Sequence, residues 1–125
     1  ASVPSPLRLL RPGYLRFGDL PGFLGGALVA AYPSYGEGFG LPVLEAMACG
    51  APVLTTPRLS LPEVGGDAVA YTGPEPEEIA RDLGRLLDDE ARRRELALAG
   101  LARAKEFTWD ASADSHIAAW TRAAR

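Results

Sequence analysis

Two glutamates, Glu37 and Glu45, frame a loop that carries Gly36, Gly38 and Gly40. Carboxylates accept strong hydrogen bonds from hydroxyl groups. Glycines let a backbone turn sharply and approach a ligand closely. The residues that follow, from Pro42 through Val43, Leu44, Ala46, Met47 and Ala48, read as a helix. Proline suits the first helical turn, where its missing N–H costs nothing. The opening amides of a helix have no intrahelical partner and sit at the positive end of the dipole, which suits a phosphate. Acids beside a phosphate site point to a second demand, a set of hydroxyls. The combination suggests a ligand that carries both phosphate and sugar, such as a nucleotide sugar.

The flanking elements must hold that loop. Residues 27–32 form a continuous apolar run and read as a buried parallel strand. Gly50 stands where a left-handed helix end is wanted. Residues 51–55 read as a second strand and residues 68–72 as a third. Strand, glycine loop, helix, strand is the arrangement that puts a loop at the carboxyl edge of a parallel sheet, where ligands bind. The expectation is therefore an α/β, Rossmann-like parallel sheet with flanking helices.

Other local signals fill in the frame. Asp19 is a candidate cap for a short helix containing Pro21. Ser60 or Leu61 caps a single turn from Pro62, with Glu63 at its positive end. A helix opens near Pro76, with Ile79, Leu83, Leu86 and Leu87 on one face. The next starts at Asp88 or Asp89, with Leu96, Gly100, Ala104 and Phe107 inward and Arg92, Arg93 and Arg94 solvated. Thr108 caps the last helix, where Trp109, Ala113, Ile117 and Trp120 recur at helical spacing and read as packing anchors. Cys49 reads as a small buried residue, and the lone histidine, His116, as a surface or packing residue. Ser34 and Thr56 are candidates to line the cleft.

The run from Glu37 to Glu45, Glu-Gly-Phe-Gly-Leu-Pro-Val-Leu-Glu, resembles the Glu-x7-Glu signature of retaining glycosyltransferases of the GT-B fold, family 4. The likeness extends upstream to Pro33-Ser34 and downstream to Leu61-Pro62-Glu63-Val64-Gly65-Gly66, and more weakly to Phe107-Thr108-Trp109. It implies a fold, the later part of a GT-B carboxy-terminal domain. It implies that Glu37 is catalytic and faces the transferred sugar. Gly38, Phe39, Gly40 and Leu41 would offer amides to the sugar and diphosphate, with Pro42 and Val43 beside the diphosphate at the helix start. Glu45 would hold the ribose hydroxyls. The donor would be a nucleoside diphosphate sugar, handled without a metal or other cofactor. The family's Gly-x4-Lys segment and its amino-terminal domain have no counterpart here, so the isolated chain is expected to be inactive. The alternative is a module that binds a nucleotide sugar or phosphate without chemistry.

The composition narrows the classes. The chain has 125 residues, 47% hydrophobic and 23% charged, as in an ordinary globular domain with a real core. A net charge of −3 gives no basic field for nucleic acid. One cysteine cannot form an intrachain disulfide, which suits a reducing, cytoplasmic compartment, with peripheral membrane association open to a longer parent. No apolar run reaches the roughly 20 residues that span a bilayer. Residues 1–12 read as an irregular lead-in or a remnant strand near Leu7 to Leu10, and residues 13–125 as the partial nucleotide-sugar-binding domain. Three strands make a thin sheet. An open edge invites pairing, so self-association into a homo-oligomer is an expectation.

Overall fold

A computed structural model describes residues 8–125. Its sheet has three short parallel strands, β1 (Ala30–Tyr32), β2 (Val53–Thr55) and β3 (Ala70–Tyr71), in that order. Ala30 pairs with Val53 and Tyr32 with Thr55, then Leu54 with Ala70 and Thr55 with Tyr71. The helices are α1 (Leu20–Gly25), α2 (Leu41–Ala48), α3 (Leu61–Gly65), α4 (Pro76–Asp88), α5 (Glu90–Ala104) and α6 (Trp109–Ala123), with a 3-10 turn over Phe17–Asp19. The α/β, Rossmann-like class read from the alternation is the one observed.

The central strand sorts the core by its alternation of faces. Val53 packs with Val43, Ala46 and Met47 of α2 and with Leu61 and Val64 of α3. Leu54 packs instead with Leu86 of α4 and Leu96 of α5. The sheet is thus covered by helices on both faces, and residues 51–56 are buried throughout. Gly100 brings α5 onto α2, because a Cβ there would lie 3.2 Å from Met47 Cγ.

Several elements depart from expectation. The strand read over residues 27–32 pairs only from Ala30, and Ala31, on the opposite face from the half-buried Ala30 and Tyr32, is exposed. Leu9 and Leu10 are exposed and outside any strand, while Leu7 and the residues before it lie outside the described residues. Asp19 precedes α1 but makes no capping bond, since its carboxylate pairs with Arg16 at 3.0 Å. Ser60 likewise makes no cap bond to α3. Leu87 turns out of the face it was assigned to and is 43% exposed. Cys49 is half-buried rather than buried, because it ends α2 at the surface.

The arginines of α5 are not simply solvated. Arg93 donates to the carbonyls of Leu86 and Leu87, and so satisfies the orphan end of α4. Arg92 pairs with Glu95 at 2.6 Å and Arg94 with Glu90 at 2.5 Å. The largest departure is α6. Trp109 is 89% exposed and Trp120 68% exposed. Thr108 caps the helix by accepting from the Ala111 amide at 3.1 Å, yet the helix buries no residue in this chain. Its apolar stripe is present, but it meets no covering surface among the described residues.

Candidate functional site

All three strands end at the same edge, so the loops that leave them meet there. The β1–α2 loop carries Glu37 and the three glycines. Gly40 is the residue before α2, with φ of +99°. A Cβ at Gly40 would lie 2.7 Å from Leu61 Cδ2, so both the backbone angle and the space require glycine. Gly38 has nothing within 4 Å of a built Cβ and faces open space. Its bare backbone is accessible from outside.

The amides of Gly38, Phe39, Gly40 and Leu41 donate to no protein acceptor among the described residues. Val43 behaves differently. Its N–H donates to the Gly40 carbonyl at 3.0 Å and its side chain is fully buried in the core. What Val43 can bring to an anion is the local dipole of α2, not a free donor. Pro42 is exposed at the helix start and has no N–H. The Phe39 ring stands edge-on to Phe107, with centroids 6.0 Å apart, and remains 44% exposed.

Glu37 is half-buried and held from several directions. The Tyr32 hydroxyl and the Ser34 hydroxyl both donate to its Oε1, the latter at 3.0 Å. The Ser60 hydroxyl, diverted from capping α3, donates to the Glu37 carbonyl at 3.3 Å. Thr56 donates to the Ser34 carbonyl, and Thr55 to the Tyr32 carbonyl at 2.8 Å. The acceptor contact of Glu37 raises the Tyr32 phenol above the ordinary tyrosine range, chiefly through the hydrogen bond itself, since loss of that proton would put two anions side by side. Tyr35 reaches across the edge and donates to the Pro74 carbonyl beyond β3 at 3.2 Å, with Arg58 stacked over its ring. Glu45 lies one turn into α2 on its exposed face, in line with Leu41.

Of the two residues read as lining the cleft, Ser34 stands in the loop with its hydroxyl on Glu37, whereas Thr56 is fully buried and braces the loop from beneath through the Ser34 carbonyl. The sequence reading gives Tyr32 and Tyr35 no place in the site, and places Ser60 only as a cap for α3. A cluster of hydroxyl residues at strand ends was the signal available for them. Glu63 stands at the start of α3, and its carbonyl accepts from Arg103 at 2.6 Å. His116 sits exposed on α6, far along the chain from the loop. No group of three or more His, Cys, Asp or Glu among the described residues is placed to hold a metal ion. No described helix is long and apolar enough to cross a membrane.

A cavity of about 450 Å³ runs along the unpaired edge of β1, lined by Phe23, Leu24, Val29, Tyr32, Pro42 and Val53. It is apolar, and neither glutamate faces it.

A parallel sheet with a glycine loop, free amides and an ordered carboxylate at its carboxyl edge defines an α/β domain of the kind whose ligands lie at that edge. The family model described as glycosyl transferases group 1 matches residues 10–103. The chain belongs to that family. It is 43% identical over 99 residues to O-antigen chain mannosyltransferase B of Escherichia coli, covering 78% of this chain and 26% of that relative. It is 43% identical over 95 residues to D-inositol 3-phosphate glycosyltransferase of Salinispora tropica, covering 74% of this chain and 20% of the relative. It is 39% identical over 110 residues to MMP alpha-(1->4)-mannosyltransferase of Mycolicibacterium hassiacum, covering 84% and 27%. The chain thus spans about a quarter of the length of these relatives.

Proposed function

We propose that this chain is the donor-binding part of a retaining glycosyltransferase that uses a nucleoside diphosphate sugar. The observation that carries the reading is the run of four unpartnered amides, Gly38 to Leu41, directly beside the ordered carboxylate of Glu37. The diphosphate would lie against those amides and the start of α2. Its charge would be offset by fixed N–H donors, which need no reorganisation as the leaving group departs. Glu37 would face the sugar and Glu45 the ribose diol. In transfer, the bond from the anomeric carbon to the diphosphate breaks. A bond to an acceptor oxygen forms on the same face, and the acceptor proton passes to the departing phosphate. Glu37 would stabilise the sugar as positive charge develops.

The family relationship and the relatives named as mannosyltransferases support sugar transfer by a longer parent protein. The acceptor site and a second domain would lie in that parent, and this chain alone would turn over no substrate. We place the parent in the cytoplasm. We also propose that the open edge of β1 drives self-association of the isolated chain.

Isothermal titration calorimetry with GDP, UDP and their sugar conjugates tests the site. Glu45→Ala is expected to weaken nucleotide binding roughly tenfold, the loss of a bidentate contact from a charged acceptor. Unchanged affinity would leave Glu45 with a helix-dipole role only. Binding of nucleotide sugars by a parent that shows no transfer to any acceptor would favour a non-catalytic binding module.

A further inference from the structure

We propose that Tyr32 is a positioning residue for Glu37: with Ser34 it fixes one carboxylate oxygen and leaves the other to the donor sugar. The inference deepens the site reading above and rests on it.

The geometry points one way. Oε1 of Glu37 accepts from two hydroxyls, Tyr32 and Ser34, whereas Oε2 has no donor among the described residues. A carboxylate held at one oxygen cannot rotate freely, so its second oxygen keeps a fixed direction. A flexible glutamate between glycines would lose that order on its own, because it pays rotamer entropy each time it engages a ligand. The two holders differ in rigidity. Ser34 is in the loop itself, and its single O–H is shared between Glu37 Oε1 and the Gly36 carbonyl at 3.2 Å, while its oxygen accepts from the Gly36 amide at 3.3 Å. Tyr32 is the last residue of β1, paired with Thr55 in the ladder and bonded through its carbonyl to the Thr55 hydroxyl. Its ring also packs against the core under α2. Tyr32 therefore ties the carboxylate directly to the sheet ladder, while Ser34 ties it to a loop that reaches the end of β2 only through the Thr56 hydroxyl on the Ser34 carbonyl. A site group supported from a rigid element is held closer to its productive direction than one supported by a loop.

Tyr32→Phe removes only the hydroxyl and keeps the ring in the core, so the fold should stand; an unaltered circular dichroism melt checks this. Two measurements on the chain then decide. In the first, phenol ionisation is followed by ultraviolet absorbance in the wild type, Tyr32→Phe and Glu37→Gln. The component missing from Tyr32→Phe should titrate above the ordinary tyrosine range in the wild type and fall back toward it in Glu37→Gln. An ordinary titration in the wild type would overturn the contact. In the second, calorimetry compares GDP-mannose with GDP, and UDP-glucose with UDP. Tyr32→Phe should weaken the sugar nucleotide roughly fivefold more than the bare nucleotide, and the loss should appear with Glu37→Gln as well. An equal loss for both ligands in Tyr32→Phe, with the sugar-specific loss intact in Glu37→Gln, sinks the role of Tyr32 and spares that of Glu37. No sugar-specific loss in Glu37→Gln sinks the assignment of Glu37 to the sugar, and the role of Tyr32 with it.

Discussion

Gly40 carries two constraints at once. Its φ of +99° is open only to glycine at low cost, and Leu61 fills the space where a side chain would go. Gly40→Ala should therefore destabilise the chain by about 1–2 kcal/mol from the backbone alone, plus the displacement of Leu61 from the core. Chemical denaturation followed by circular dichroism measures this. A variant as stable as wild type would mean the loop relaxes at no cost. Gly38→Ala makes the control, because nothing crowds a Cβ there. The contrast separates a glycine kept for the fold from one that leaves its backbone open to a ligand. At this scale the sequence marked Glu37, Glu45 and the glycines by type and spacing. It did not mark Tyr32, because a tyrosine closing an apolar run looks like any strand residue. Only the turn of the loop back over the end of β1 brings its hydroxyl to Glu37.

Elements that are closed by their own local chemistry were legible in advance. Of the two aspartates read as the start of α5, Asp89 is the cap, accepting from the Arg92 amide at 2.8 Å. Asp89→Ala should cost about 1 kcal/mol of stability, read as a lowered midpoint in urea unfolding. An unchanged midpoint would show that Arg93, donating to the end of α4, holds the junction without the cap. Caps that failed did so because the same side chain had a better offer elsewhere. Ser60 leaves α3 for the Glu37 carbonyl, and Asp19 leaves α1 for Arg16. Local spacing allows a cap but does not rank it against a competing partner, whether distant like Glu37 or three residues away like Arg16. The arginine run of α5 shows the same limit, since Arg93 meets carbonyls six and seven residues back only once the two helices fold against each other.

On the scale of the molecule, the outer edge of β1 with its apolar cavity and the stripe of Trp109, Ile117 and Trp120 on α6 are uncovered among the described residues. A sheet edge that presents free N–H and C=O groups beside apolar side chains favours pairing with another chain. Sedimentation velocity over a range of concentrations should show reversible association of the isolated chain. A monomer at the highest concentration attainable would refute it. Acrylamide quenching of tryptophan fluorescence adds the second surface: ready quenching alongside association would place the contact at β1, and protection would place it on α6.

The sequence alone determined what short-range rules govern. It marked the alternation of apolar runs and helices that makes an α/β sheet, the glycine loop before α2, the pair of glutamates, a helix start at Asp88 or Asp89, and the cap at Thr108. Each depends on residues within one or two turns of each other, where backbone geometry and hydrogen bonding leave few choices. The tertiary structure decided which patterned faces find a partner. Leu96 met Leu54 and Leu86, whereas the equally periodic tryptophans of α6 met solvent. It also decided which oxygen of Glu37 is held and which is open. Apolar periodicity shows that a face is ready to be buried, and a carboxylate shows that it can accept a proton donor. Neither contains the position of the other surface, which exists only when distant parts of the chain come together.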